Sequence, residues 1–167
     1  MTYLQDRNET LIVLLANTGL RVSELVALNW EYLDLNADPG ELYLPSKIQK
    51  GHPISISLMK PADSFAGIGT ASWNKSKALF PSRQSDRMTD RSIRNTVTRV
   101  AKEAGVCSYW IEGGRDKSHE MSPHTFRYSI VFQMIRRENK RLEDVMLRLR
   151  HANLQTTDEV YGHFRPR

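Results

Sequence analysis

Near its end the chain carries a tyrosine on a polar stretch, LRHANLQTTDEVYGHF, where Tyr161 follows His151 by ten positions and precedes His163 by two. A second stretch, SPHTFRYS, sets His124 and Arg127 three apart, a spacing that shares one face of a helix. A third, ANTGLRVSELVALNW, brings Arg21 in behind a Thr-Gly pair. Together these residue types could serve the attack of a phenol on a phosphate diester. A guanidinium is a planar fork that binds phosphate bidentately and keeps its proton. A phenol, with a pKa of about 10, needs a base or a strong positive field before its oxygen attacks. An imidazole titrates close to neutrality and can take that proton. Taken singly, each residue has a plainer reading. Arg21 could pair with Glu24, His124 and Arg127 could be a solvated pair, and Tyr161 could be a half-buried aromatic with a bonded hydroxyl.

The elements that must position these residues can be read from periodicity. Residues 4–16 have Leu11, Leu14 and Leu15 at helical spacing, and NTG at 17–19 ends that helix before LRVSELVALNW begins a shorter one. From Tyr32 the period falls to two: YLDL, ELYL and PISISL predict a three-stranded antiparallel sheet. NADPG supplies the first turn and PSKIQKGH the second connection. Residues 60–78 are poorly patterned, with a helix as the expectation. Residues 89–104 form the clearest helix, with Thr89 as N-cap, a stripe of Ile93, Val97, Val100, Ala101 and Ala104, and Gly105 at the C-terminal turn. SYWIEGGRDKSHEMS is expected to be a loop. Pro123 opens a helix running to about Arg137 with Phe126, Ile130 and Met134 on one face. Helices over 142–149 and about 154–162 complete a fold that is mainly α with a small three-stranded antiparallel sheet (α+β).

Composition narrows the partner. With 24 Lys+Arg against 19 Asp+Glu, the net charge is +5 and the pI is near 9.5, a balance that favours a polyanion. The longest apolar run, LIVLLA at 11–16, is far short of a membrane span, and MTYLQDRNET has no secretory layout. A lone cysteine, Cys107, cannot form an internal disulfide. Together these suggest an intracellular protein. The five histidines show no metal-ligand spacing such as His-Glu-x-x-His, and no glycine-rich phosphate loop occurs.

In this order, with a basic hairpin turn between the first two, the three stretches resemble the catalytic domain of the tyrosine recombinases (phage integrase family). The resemblance covers essentially the whole chain. Position by position it implies an active site of Arg21, Lys47, His124, Arg127, His151 and Tyr161. In that scheme the two arginines clamp the phosphate, His124 accepts the tyrosine proton and His151 donates to a phosphate oxygen from the other flank. Lys47, or failing it Lys50, protonates the leaving 5′-oxygen. The product of attack is a 3′-phosphotyrosyl bond, which stores the energy for religation, and no cofactor, metal or ATP is required. Lys50, His52, Arg91 and Arg94 are candidate DNA contacts. Arg83, Arg87, Arg91 and Arg94 could form a DNA-facing stripe or a solvated helix face.

The resemblance further implies double-stranded DNA as partner, a homo-tetramer in the full-length synaptic complex, and a cytoplasmic, DNA-associated location. Residues 1–167 are expected to be a single catalytic domain without the N-terminal core-binding domain of such proteins, and a monomer as an isolated chain. Three departures from the family's common pattern stand out. The interval from His151 to Tyr161 is one residue longer than usual, Arg150 occupies a position where glycine is common, and Tyr128 stands where a histidine often sits. Site-specific recombination is the leading expectation. DNA relaxation of the type IB topoisomerase kind and a non-catalytic DNA-binding regulator are the alternatives.

Overall fold

The computed structural model describes residues 3–49, 52–58, 76–106, 108–112, 115–119, 121–150 and Tyr161. Helix α1 (Tyr3–Thr18) buries Leu11, Leu14 and Leu15 completely, as its spacing requires. Helix α2 (Val22–Ala27) is shorter than its sequence pattern predicts and gives way to a 3-10 turn over Trp30–Tyr32. Strands β1 (Leu33–Asp34), β2 (Glu41–Leu44) and β3 (Ile54–Ser57) then form an antiparallel sheet in the order β1-β2-β3. Its register pairs Leu33 with Leu42 and Leu42 with Ile56. Leu42, Leu44 and Ile56 face the core while Glu41 and Tyr43 face outward, so the alternation seen in the sequence is the alternation of burial.

The segment after the sheet is described only from Ser76 onward, where Ala78 bridges to Asn29 and no helix forms over 76–80. The helix expected over 60–78 otherwise lies outside the described residues. Helix α3 (Asp90–Glu103) has the predicted cap: the Thr89 hydroxyl accepts from the Ser92 N–H at 3.2 Å and Ser92 Oγ accepts from the Thr89 N–H at 2.9 Å. It ends in a Schellman motif, with the Gly105 N–H donating to the Lys102 carbonyl and the Val106 N–H to that of Ala101.

The expected loop at 108–122 is a correction. Ser108–Glu112 (β4) and Arg115–His119 (β5) pair antiparallel, with Glu112 opposite Arg115. The sequence did carry that signal, aromatic and β-branched residues followed by Gly-Gly as a two-residue connection. The many charged residues of the returning strand outweighed it.

Helix α4 (Pro123–Phe132) starts at the predicted proline, but it does not continue as an α-helix to Arg137. Gln133–Arg137 is a π-helical segment, closed by a Glu138 N–H to Gln133 carbonyl bond at 3.1 Å. Helix α5 (Leu142–Leu149) completes the described fold, and Tyr161 is helical. The remainder of the helix expected near 154–162 lies outside the described residues.

Among the described residues, the buried hydrophobic side chains form two clusters. The larger joins α1, α2, the sheet and α3 around Phe80. The smaller joins α4, the π segment and α5, with Val131, Ile135, Leu142, Val145, Leu149 and Tyr161. Helix α4 runs along α1, so the seam between the clusters lies beside Gly19 and Arg127.

Candidate active site

Gly19 is where the site begins. Its φ is +61°, and a Cβ added there would stand 3.2 Å from Ile130 Cδ1 and 3.6 Å from Leu149 Cδ2. Only glycine permits both the left-handed turn out of α1 and this close approach of α4 and α5. The turn aims the Gly19 carbonyl at Arg127, whose Nη1 donates to it at 2.6 Å. Arg127 Nη2 donates to the carbonyl of Leu149, at the end of α5. Arg127 is 4% exposed, so its fork is fixed between two elements that are remote in sequence.

Arg21 sits on the other side of the same turn. Its backbone N–H donates to Glu24 Oε2 at 2.7 Å and its Nη1 to Glu24 Oε1 at 3.0 Å. The plain pairing open to Arg21 is therefore real. It does not consume the guanidinium, because the side chain keeps 38% of its exposure while that of Glu24 keeps 2%. Arg21 Nη2 also donates to the Arg150 carbonyl at 3.3 Å. Two successive carbonyls at the C-terminus of α5, Leu149 and Arg150, thus receive Arg127 and Arg21 respectively. The negative end of a helix dipole holds both cations.

A third guanidinium, which sequence reasoning registered only as a departure, joins them. Arg150 donates through Nη2 to Glu24 Oε2 at 2.7 Å and through Nε to Oε1 at 3.3 Å. Burial, the largest influence on Glu24, would raise its pKa. The charges and hydrogen bonds of Arg150 and Arg21 overcome it and hold the carboxyl below its usual range. The opposite pressure acts on Arg127: burial, then the charges of Arg21 and Arg150, push its pKa down to about 10. That value keeps it protonated at neutral pH, in a cluster with more positive than negative charge. Among the described residues, such an excess of positive charge suits an anion.

His124 stands on the first turn of α4 and is exposed. What desolvation it suffers, then the charges of Arg94, Arg127 and Arg21, lower its pKa and favour the neutral ring, the form that accepts a proton. This coupling also puts Arg94, itself exposed on α3, within electrostatic reach of the site.

Tyr161 is 4% exposed and packs edge-on against the Tyr128 ring, with centroids 5.3 Å apart at 70°. Burial raises its pKa and so does Tyr128, against the charge and hydrogen bond of Arg127 and the charge of Arg21, which favour the phenolate. The ring at position 128, where a histidine was the alternative, therefore gives Tyr161 an apolar wall.

Arg21, His124, Arg127 and Tyr161 are thus brought together by mutual charge and hydrogen bonding. Lys47 is exposed in the connection between β2 and β3. Its Nζ lies 5.3 Å from the Tyr32 ring centroid, and a hydrogen bond to Tyr32 followed by the charges of Tyr32 and Glu31 raises its pKa. His52 and Arg91 are exposed. His151 and Lys50 lie outside the described residues. Arg87 does not belong to an outward stripe: it donates to the carbonyls of Val26 and Leu28 and to Asn29 Oδ1, pinning the end of α2.

Against known proteins, the model of the phage integrase family matches residues 1–167. The chain is 26% identical over 161 residues to tyrosine recombinase XerC of Pseudomonas aeruginosa, covering 96% of this chain and 48% of that protein. It is 28% identical over 165 residues to tyrosine recombinase XerD of Shewanella oneidensis, covering 96% and 50%. The chain therefore spans about half the length of these curated relatives. Among solved structures it resembles XerA recombinase with a TM-score of 0.70 at 21% identity, over 98% of this chain and 60% of that one. It also resembles XerH site-specific recombinase, solved bound to palindromic difH in a post-cleavage complex, with a TM-score of 0.73 at 18% identity, over 96% and 43%. Those likenesses establish the fold. An arginine cluster gathered around the end of α5 beside a tyrosine, in a sequence matched throughout by one family, leads to one conclusion: this chain belongs to the phage integrase family, the tyrosine recombinases.

Proposed function

We propose that this chain is the catalytic domain of a site-specific DNA recombinase, with Tyr161 as nucleophile. The phenol oxygen attacks a DNA phosphorus, the bond to the 5′-oxygen breaks, and a 3′-phosphotyrosyl bond forms as a 5′-hydroxyl is released. Attack by a second 5′-hydroxyl on that bond rejoins the strand and returns the proton to Tyr161. The observation that carries the reading is the joint anchoring of Arg21 and Arg127 on consecutive carbonyls at the end of α5, with buried Tyr161 in the field of both. The fork of each arginine meets a non-bridging oxygen, where charge grows in the transition state.

His124, whose neutral form is favoured by desolvation and then by its cationic neighbours, takes the phenolic proton. His151 is the proposed donor to the phosphate from the other flank. Lys47 is held protonated by Tyr32 and is the proposed acid for the 5′-oxygen, with Lys50 as its competitor. Because the arginines supply the stabilising charge and religation reuses the phosphotyrosyl bond, the reaction needs neither metal nor ATP. Double-stranded DNA is the partner, as in the solved XerH complexes with difH, and a tetramer on two duplexes performs the exchange. Such a protein works where the cell keeps its DNA. Lys50, His52, Arg91 and Arg94 are the proposed backbone contacts.

A nicked duplex that loses the freed 5′ end traps the intermediate. The wild-type chain is expected to form a DNA-linked species that persists in EDTA, and Tyr161→Phe to form none. An adduct that survives Tyr161→Phe would reassign the nucleophile. No adduct with either protein, while DNA is still bound, would favour a non-catalytic regulator.

A further inference from the structure

The backbone at Arg150 goes beyond that reading. Its φ is +57° and ψ is +43°, a left-handed conformation that every side chain except glycine enters at a cost. The residue there is nevertheless an arginine, and its side chain turns inward to 5% exposure. Strain kept at such a position points to work done by the side chain. Arg150 lays Nε and Nη2 along both oxygens of Glu24, at 3.3 and 2.7 Å, while Arg21 uses the same carboxylate through its backbone N–H and Nη1. Two cations share one buried anion. Arg150 is too enclosed to touch a ligand, and Arg21 is open enough to do so.

We propose that Arg150 is a positioning residue for the phosphate chemistry, neutralising Glu24 so that Arg21 and Arg127 present their full charge to the phosphate. The proposal rests on the phosphoryl-transfer reading above. Among the described residues of the cluster, with Arg150 in place, three guanidinium groups against one carboxylate leave an excess of two positive charges; without it the excess is one. A phosphodiester carries one negative charge, and the pentavalent state on the way to phosphotyrosine carries more. The second positive charge therefore acts on the rate of attack more than on the binding of DNA. The Arg150 carbonyl adds to this by accepting from Arg21 Nη2, so one residue both orients Arg21 and removes its competitor.

The test compares wild type, Arg150→Gly, Arg150→Lys and the double variant Glu24→Gln/Arg150→Gly. Glycine suits the backbone. If Arg150→Gly does not fold, Arg150→Met keeps the stem, drops the charge and takes its place in both variants. One readout is the rise in melting temperature caused by sulfate, standing in for the phosphate. The other is the single-turnover rate of adduct formation on the nicked duplex at saturating DNA. Arg150→Gly is expected to lose the sulfate response and to slow adduct formation by about tenfold or more, with a much smaller change in the DNA concentration giving half-saturation. Arg150→Lys should recover part of the rate. The double variant, which restores the excess of two charges, should recover both readouts.

Equal behaviour of Arg150→Gly and wild type would overturn the proposal, as would a double variant no better than the single one. If the sulfate responses follow the charge count but even wild type forms no adduct, the Arg150 assignment stands and the nucleophile reading falls. If wild type forms the adduct and Arg150→Gly matches it in rate and sulfate response, the Arg150 assignment falls and the nucleophile reading stands.

Discussion

At the scale of single residues, function turns on protonation states that the cluster imposes. Desolvation, then the charges of Arg94, Arg127 and Arg21, hold the pKa of His124 below the ordinary histidine value. A base must be neutral to accept a proton, so adduct formation should fall as pH drops through the folded-state pKa of His124, below about 6.5. Arg94→Gln removes one of the charges that depress that pKa. It should move the acid limb of the single-turnover rate profile to higher pH without altering the plateau. A limb that stays in place would remove His124 from the role of base or Arg94 from its surroundings. Tyr161 is under opposed pressures, burial and Tyr128 against Arg127 and Arg21. A phosphate arriving at the arginines would weaken the field that favours phenolate, which is why the proposed mechanism gives the phenolic proton to a separate base.

At the scale of elements, the described part of the site joins the start of α2, α4, the end of α5 and Tyr161, and its geometry depends on the turn at Gly19. Gly19→Ala puts a Cβ 3.2 Å from Ile130 Cδ1 on a backbone at φ +61°. It should destabilise the fold by about 1–2 kcal/mol from the backbone alone, with crowding added. At Gly105, with φ +66° and nothing within 4 Å of an added Cβ, alanine should cost only the backbone share. Denaturant unfolding of both variants checks the difference, and equal losses would mean that the approach of α4 to Gly19 is not tight.

The same junction shows how far the sequence was legible. Periodicity gave α1, the α3 cap, the start of α4 and the sheet, because each depends on neighbours within a few residues. The β4–β5 hairpin was missed because its returning strand, RDKSH, has no apolar alternation to weigh against its charge. The residue types of Arg21, His124, Arg127 and Tyr161 were legible as motifs. What was not legible was that Glu24 and Arg150, 126 positions apart, would form one buried ion pair beside them. No local pattern encodes a contact of that range, and the only trace was an arginine in a place that favours glycine.

At the scale of the whole molecule, a net charge of +5 favours a polyanionic partner, but the cations are not equivalent. Arg87 is spent on the carbonyls of Val26 and Leu28 and on Asn29. Arg94 is exposed beside His124. Arg94→Gln should therefore reduce the slope of log K against log salt for duplex binding by about 1 and leave thermal stability nearly unchanged. Arg87→Gln should leave the slope and lower stability by about 1–3 kcal/mol, the cost of losing its hydrogen bonds to the carbonyls of Val26 and Leu28 and to Asn29. Titration of DNA binding over a salt series, with melting curves, separates the two, and the reverse assignment would contradict the account.

The central claim is that a phenol near the C-terminus becomes bonded to DNA, and the position of that bond can be measured. Trypsin digestion of the trapped adduct, followed by nuclease trimming and mass spectrometry, should find the nucleotide mass on the peptide that begins at His151, with fragmentation placing it on Tyr161. A nucleotide carried by any other residue, or an unmodified Tyr161 in a chain that has cleaved its DNA, would contradict it.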